Sequence, residues 1–244
     1  MLPQDISSPD KIMNKSNKPK VWVRVIGDVH GLIARMKERS YKSLLRDVPY
    51  SVQLGDMGFN YSQLESIDSK CHKVVAGNHD FFPNLTPHFL TGFGTHTFPL
   101  APSLDGKPRQ LEFFYVHGAQ SVDYRSRTLG FDLFTEEEMD WGKLKQLVET
   151  WKITRPRIVF SHECPASIVP MVACSYWAGR GVSPSKTANA LQACFEAWQP
   201  TLWFFGHYHN NWTDFVKGTR FFCLDELSYV DFNDQGEVIQ QAPQ

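Results

Sequence analysis

Val21-Trp22-Val23-Arg24-Val25-Ile26-Gly27-Asp28-Val29-His30-Gly31 is the stretch from which the fold is read. Its first half, Val21 to Ile26, is a short β-branched run that ends at Gly27, the pattern of a strand running into a turn. Beyond it Leu32, Ile33, Met36, Tyr41, Leu44 and Leu45 recur at roughly helical spacing, so the unit reads as strand, turn, helix. Two more runs repeat the strand and its stop: Ser51 to Leu54 ends at Gly55, and Cys71 to Ala76 ends at Gly77. In an α/β sheet such loops at the carboxyl ends of strands are where ligands gather, because glycine permits tight turns and close backbone approach.

Further along, Leu104-Asp105-Gly106-Lys107 predicts a hairpin turn into an aromatic strand from Gln110 to Val116. A helix is expected from Thr135, where Glu138 completes a capping-box pattern, to about Trp151. A second is expected from near Ser183, carrying Ala188, Leu191, Phe195 and Trp198. Buried strands are expected at Arg157 to Ser161, directly before His162, and at Thr201 to Phe205, shortly before His207 and His209. Phe215-Val216 and Arg220 to Leu224, separated by Lys217-Gly218, read as a closing hairpin.

The whole sequence has 244 residues, 42% of them hydrophobic and 14% aromatic, which is the composition of a globular chain of one domain. Residues 1–20 set four lysines among Ser, Asn, Asp and Pro with no apolar run fit for a signal peptide. They are expected to be a flexible leader, with a single domain over 21–244. Twenty-five basic residues stand against 26 acidic ones, so net charge offers no strong attraction to duplex nucleic acid or an anionic membrane. Every hydrophobic run is interrupted well short of the roughly 20 apolar residues a membrane-spanning helix needs. The five cysteines are odd in number and contain no CxxC pair, which suits reduced, mostly buried thiols and a cytoplasmic location.

Set in order, the strand-end clusters are Gly27-Asp28-Val29-His30-Gly31, Gly55-Asp56-Met57-Gly58, Gly77-Asn78-His79-Asp80, His162, and Gly206-His207-Tyr208-His209. Their oxygen and imidazole donors suit borderline divalent cations, whereas a thiolate-rich set would indicate structural zinc. Asp28 and His30, like His207 and His209, are two apart and point the same way from an extended strand end. Taken singly, a D-x-H or H-x-H triplet is common in solvated loops. The weight lies in the joint order of the clusters, each following a predicted strand.

This pattern resembles the calcineurin-like metallophosphoesterase superfamily, whose signature is D-x-H, G-D, G-N-H-D/E, a lone H and G-H-x-H, and it extends from residue 21 to about 225. The Gly118 to Asp123 stretch and Ser161-His162-Glu163-Cys164-Pro165 are similar to small bacterial and phage members. The resemblance implies an α/β fold of the α/β/β/α sandwich type, with two central mixed sheets flanked by helices. It implies Asp28, His30, Asp56 and His209 as ligands of one divalent ion, and Asp56, Asn78, His162 and His207 as ligands of another, with Asp56 shared. Manganese is the expected metal, with iron, nickel, zinc and magnesium as alternatives. The implied reaction is hydrolysis of a phosphate mono- or diester by metal-activated water, with His79 as general acid and Asp80 beside it orienting the loop. A phosphorylated small molecule or nucleotide is the expected substrate, and the oligomeric state stays open.

The sequence departs from the superfamily's protein serine/threonine phosphatases, whose second motif runs G-D-x-V-D-R-G. Here Gly55-Asp56-Met57-Gly58-Phe59-Asn60 puts Phe59 at the position of the second Asp and Asn60 at that of the Arg. A bidentate guanidinium clamp suits a dianionic monoester, so its loss argues against that branch unless Arg125, Arg127 or Arg180 replaces it. Phosphoprotein hydrolysis is the alternative reading, and the intact ligand set with His79 argues against a non-catalytic scaffold. His117 is expected to pack, and His72, His88 and His96 to be structural or solvent-exposed. The long segment from Ala166 to Pro184, with Tyr176 and Trp177, is expected to form a binding wall or lid.

Overall fold

The computed structural model describes residues 20–30, 41–173 and 184–241. Strand β1 (Val21–Ile26) alternates as its sequence demands: Val23 and Val25 face one core, while Ile26 faces another and Arg24 reaches the Leu44 carbonyl. It lies parallel to β2 (Tyr50–Gln53), which is followed in the same direction by β3 (His72–Val75) and the short β4 (Phe89–Leu90). The chain then builds a second sheet. An antiparallel hairpin of β5 (Phe93–Leu100) and β6 (Arg109–Val116) turns near Gly106 and is joined by β7 (Ile158–Ser161) and β8 (Leu202–Phe205), both parallel to β6. A closing hairpin, β9 (Trp212–Val216) and β10 (Thr219–Cys223), adds β10 alongside β8. Finally β11 (Tyr229–Asn233) returns to pair antiparallel with β1, and β12 (Val238–Gln241) pairs with β11.

Among the described residues the sheets thus have six strands each, ordered β12-β11-β1-β2-β3-β4 and β5-β6-β7-β8-β10-β9, and both are mixed. Val23, Val25, Val52 and Val75 from the first meet Phe98, Phe113, Phe160, Phe204 and Phe222 from the second in a buried layer between them. The outer face of the first sheet, with Ile26 and Val74, is covered by Tyr41 and Leu44 of α1 (Tyr41–Leu44) and by Met57, Tyr61 and Leu64. The outer face of the second, with Phe114, Val159, Trp203 and Phe221, is covered by α2 (Trp141–Thr154), α3 (Val169–Val172) and α4 (Lys186–Ala197). The result is an α/β/β/α sandwich, and no helix among the described residues is long and apolar enough to cross a membrane.

Two helix starts differ from expectation. Thr135–Glu137 is only a short 3-10 turn, and α2 begins at Trp141, because the Asp140 carboxylate accepts from the Lys143 amide and supplies the cap. Glu138 does not reach back over the expected helix; it accepts from the Thr187 amide and hydroxyl at the start of α4. That helix opens two residues later than predicted, at the Ser185 cap, and Trp198 stands just past its end with the indole donating to the Pro156 carbonyl. The flanking strands β4, β5, β11 and β12 go unread in the sequence. Gly94 and Pro99 interrupt the pattern of β5, which tolerates them as an edge strand, and Asp231 interrupts β11, where the Arg24 guanidinium neutralises it.

Candidate metal centre

The parallel strands β1, β2, β3, β7 and β8 all release their chains at the same end of the sandwich. Their loops are tied to one another by the backbone: the Val29 and His30 amides donate to the Asp56 carbonyl, and the Gly206 amide donates to the His162 carbonyl. The Asp28 carboxylate receives the His207 amide at 3.1 Å, and an Asp56 oxygen receives the His79 amide at 2.7 Å. Close packing of these loops requires glycine. A Cβ on Gly206 would strike the Asp28 carboxylate, and one on Gly77 would strike that of Asp56.

Two groups of side chains converge there, each with ligand atoms within 4.8 Å of one another: Asp28, His30, Asp56 and His209, and Asp56, His162 and His207. Asp56 belongs to both. His30 Nε2 lies 3.5 Å from Asp56 Oδ2, His209 Nε2 lies 3.3 Å from Asp28 Oδ2, and the two Nε2 atoms are 2.9 Å apart. In the deeper group His162 Nε2 lies 3.2 Å from Asp56 Oδ1 and 2.9 Å from Asn78 Oδ1, which adds the amide oxygen to that cluster. Asp28, Asp56 and His162 are sealed from solvent, while the His30 and His209 side chains, 14% and 36% exposed, form the open side. His30, Asp56, His207 and His209 all hold left-handed backbone with φ of 43°, 56°, 68° and 46°, a conformation that side-chain-bearing residues adopt at a cost.

Two of the imidazoles are oriented from behind. His162 Nδ1 lies 2.7 Å from the Leu54 carbonyl oxygen, which leaves Nε2 for the centre, and His209 Nδ1 lies 3.5 Å from the Glu226 carboxylate. Burial opposes ionisation of Asp28 and Asp56, yet the facing histidines hold both well below the usual carboxylate range. Burial likewise opposes protonation of His30 and His162, but the same carboxylates push them up to about 9 and about 10. His207 goes the other way, down to about 3, through burial and the adjacent His162. The donors therefore match a cation chemically: anionic carboxylates, one neutral amide oxygen and imidazoles, with protons occupying the middle of the cluster. They fit divalent metal ions.

A family model described as calcineurin-like phosphoesterase matches residues 21–211. The chain belongs to the calcineurin-like phosphoesterase family. Membership makes it a hydrolase of phosphate esters, in a metal-dependent family. No curated protein matches its sequence. Among solved structures it is similar to the anchor protein of the inner membrane complex of Plasmodium, at 12% identity and a TM-score of 0.49 over 91% of this chain and 88% of that one. It is also similar to the calcineurin-like phosphoesterase YfkN from Bacillus subtilis, at 10% identity and 0.47, covering 88% and 85% of the two chains. A dimetal phosphatase from Danio rerio aligns at 12% identity and 0.45, covering 88% and 93%.

In this calcineurin-like phosphoesterase the structure brings Asp28, His30, Asp56, Asn78, His162, His207 and His209 together. His79 is only partly buried, and its ring stands edge-on to His30 with centroids 5.3 Å apart. Asp80 points inward: its Oδ2 receives the Gly77 amide at 2.7 Å and the Asp56 amide at 3.2 Å, pinning the β2 and β3 loops together. Arg125 is exposed and pairs with Tyr124, and Arg180, Tyr176 and Trp177 lie outside the described residues. Arg127 is buried against Glu137 at 2.9 Å. Phe59 is part of an aromatic cluster with Phe81 and Phe134, while the Asn60 side chain accepts from the Ser62 amide. His117 packs beside Phe82, His72 and His88 are held by Ser51 and Thr86, and His96 packs between Phe98 and Phe113. Sequence reasoning missed the roles of Glu226, Ser121 and Glu137, which stand behind the candidate ligands; Ser121 lies in the Gly118 to Asp123 stretch, but that likeness assigned it no role.

Proposed function

We propose that this calcineurin-like phosphoesterase hydrolyses phosphate esters of small-molecule or nucleotide type at two divalent cations sharing Asp56, with manganese as the working metal. The observation that carries the reading is that Asp56 belongs to both ligand groups, since a carboxylate between two dications offsets their repulsion. Asp28, His30 and His209 would complete one set, and Asn78, His162 and His207 the other. When bound, the ions supply Lewis-acid stabilisation of phosphoryl oxygens and a nucleophile at neutral pH.

The remaining work belongs to the chain. His79, with its backbone amide anchored on Asp56 and its ring beside His30, holds the proton that the leaving oxygen takes up. Burial, with the charges of His30 and Arg127, presses the His79 pKa below its ordinary range against the pull of Asp56, which makes the protonated ring a stronger donor. Asp80 fixes the loop from below. The Arg127 guanidinium is committed to Glu137 and the Asn78 carbonyl, so it is not free to clamp a dianionic phosphate, which favours a small-molecule or nucleotide diester over a dianionic monoester such as a phosphoprotein carries.

The test is hydrolysis of bis-p-nitrophenyl phosphate and p-nitrophenyl phosphate with manganese, with EDTA and Asp56→Asn as controls. Activity abolished by both controls is expected, with the diester at least matching the monoester. Turnover that survives chelation or Asp56→Asn overturns the two-ion reading, and strict monoester preference overturns the diester preference.

A further inference from the structure

Asn78 presents a problem that shape alone does not solve. Its amide has an oxygen able to ligate a cation and a nitrogen that is not, on ends of nearly equal size, so its orientation is decided by hydrogen bonds. We infer that Glu137, acting through Ser121, sets the polarity of the Asn78 amide and so turns its oxygen toward the metal centre. This rests on Asn78 being a ligand in the reading above.

The argument is one of counting. Asn78 Nδ2 donates to Ser121 Oγ at 2.8 Å, and the Arg127 guanidinium donates to the same oxygen. A serine hydroxyl has two lone pairs and a single hydrogen, so with both lone pairs engaged the hydrogen must leave in another direction. It goes to Glu137 Oε2 at 2.9 Å. Glu137 is fixed as an acceptor on both oxygens, because Oε1 receives the Phe134 amide and an Arg127 nitrogen, each at 2.9 Å. The chain therefore runs one way, from amide to hydroxyl to carboxylate. Its free end is Asn78 Oδ1, which faces His162 Nε2 at 2.9 Å in the deeper ligand group.

Asn78, Ser121 and Glu137 are 1%, 1% and 4% exposed, so solvent does not reach in to replace a missing member. Arg127 holds the frame, donating also to the Asn78 carbonyl at 3.2 Å and to the Asp132 carbonyl. Ser121, Arg127 and Glu137 are positioning residues, and none belongs to the ligand groups.

A mere staple of this loop and an orienting device differ in what they move. Loosening a staple weakens both ions or only the melting temperature, whereas releasing the amide weakens the ion of the deeper group alone. Manganese titration of wild type, Ser121→Ala and Glu137→Gln by calorimetry, with elemental analysis and electron paramagnetic resonance, reads the difference. Wild type is expected to take up two ions with an exchange-coupled spectrum. Both variants should retain one ion at wild-type affinity, lose the other by about 10- to 100-fold, and show a mononuclear spectrum. Glu137→Gln keeps the side-chain shape but places an amide where only an acceptor stood. Two ions in wild type with unchanged or equally weakened affinities in the variants overturn the inference alone. A wild type that binds fewer than two ions removes the two-ion reading and this inference with it.

Discussion

His79 and His209 are both histidines at strand ends, yet their surroundings assign them different work. His209 has a carboxylate on either side, Asp28 at its Nε2 and Glu226 at its Nδ1, whereas His79 stands beside the ligand groups with its ring against that of His30. His79→Ala is accordingly expected to keep full metal content and lose about 10²- to 10⁴-fold in turnover on a substrate with a poor leaving group. Parallel metal analysis and kinetics on an alkyl and a nitrophenyl ester check this, and equal turnover on both esters with wild-type rates refutes it. Glu226→Gln should instead lower affinity for the ion of the open group by about 10- to 100-fold, read by manganese titration. The ligand candidates are legible in the sequence because each follows a strand within a few residues and keeps a ligand-type side chain. Glu226 is not legible, since a lone acid acquires its meaning only from the loop that folds against it.

At the scale of elements, the ends of β7 and β8 and the start of α4 are joined by one buried acid. Glu163, next to His162, receives the hydroxyls of Tyr208 and Ser185 and the Cys164 amide, and Ser185 in turn caps α4 by accepting from the Ala188 amide. Tyr208→Phe leaves a Glu163 oxygen short of a donor in a dry site and is expected to cost about 1–3 kcal/mol in urea unfolding. A loss under half a kcal/mol would show that the link carries no weight. The strands that supply ligands were readable because each is a short apolar run ended by glycine or histidine. The start of α2 was not, since both Thr135 and Asp140 head plausible capping patterns and only the tertiary engagement of Glu137 and Glu138 decides between them.

For the whole molecule, the proton and the cation compete for one cluster. In the metal-free chain His30 and His162 are raised from 6.5 to about 9 and about 10, so the stability they contribute is fully present below about pH 6.5 and is lost as pH rises through those values. Asp80, raised by burial and then by Asp56 from 3.8 to about 8, is a folded-state proton that is also lost on the alkaline side. Metal-free protein is thus expected to melt at progressively lower temperature from pH 6.5 to 10, while metal-loaded protein holds its melting temperature, because cations displace the same protons. Calorimetric uptake of manganese at pH 7 should release about two protons, read from the dependence of the heat on buffer ionisation enthalpy. A pH-independent melting temperature without metal would refute the linkage. The layered sandwich was legible through the motif order and its resemblance, whereas the slot of β11 beside β1 was not, because no local pattern says which distant strand fills the edge of Asp28's own strand.

That slot has a consequence for synthesis on the ribosome. Asp28, His30 and β1 emerge early, but His209, which also faces Asp28, the acid behind it at residue 226 and the partner strand ending at residue 233 come late. For most of translation Asp28 has only the nearby His30 to face it, and its strand has one open edge. A nascent chain stalled before β8 would display that edge to chaperones and would lack His207 and His209, so the candidate ligand groups cannot close until residues 207 and 209 have been made.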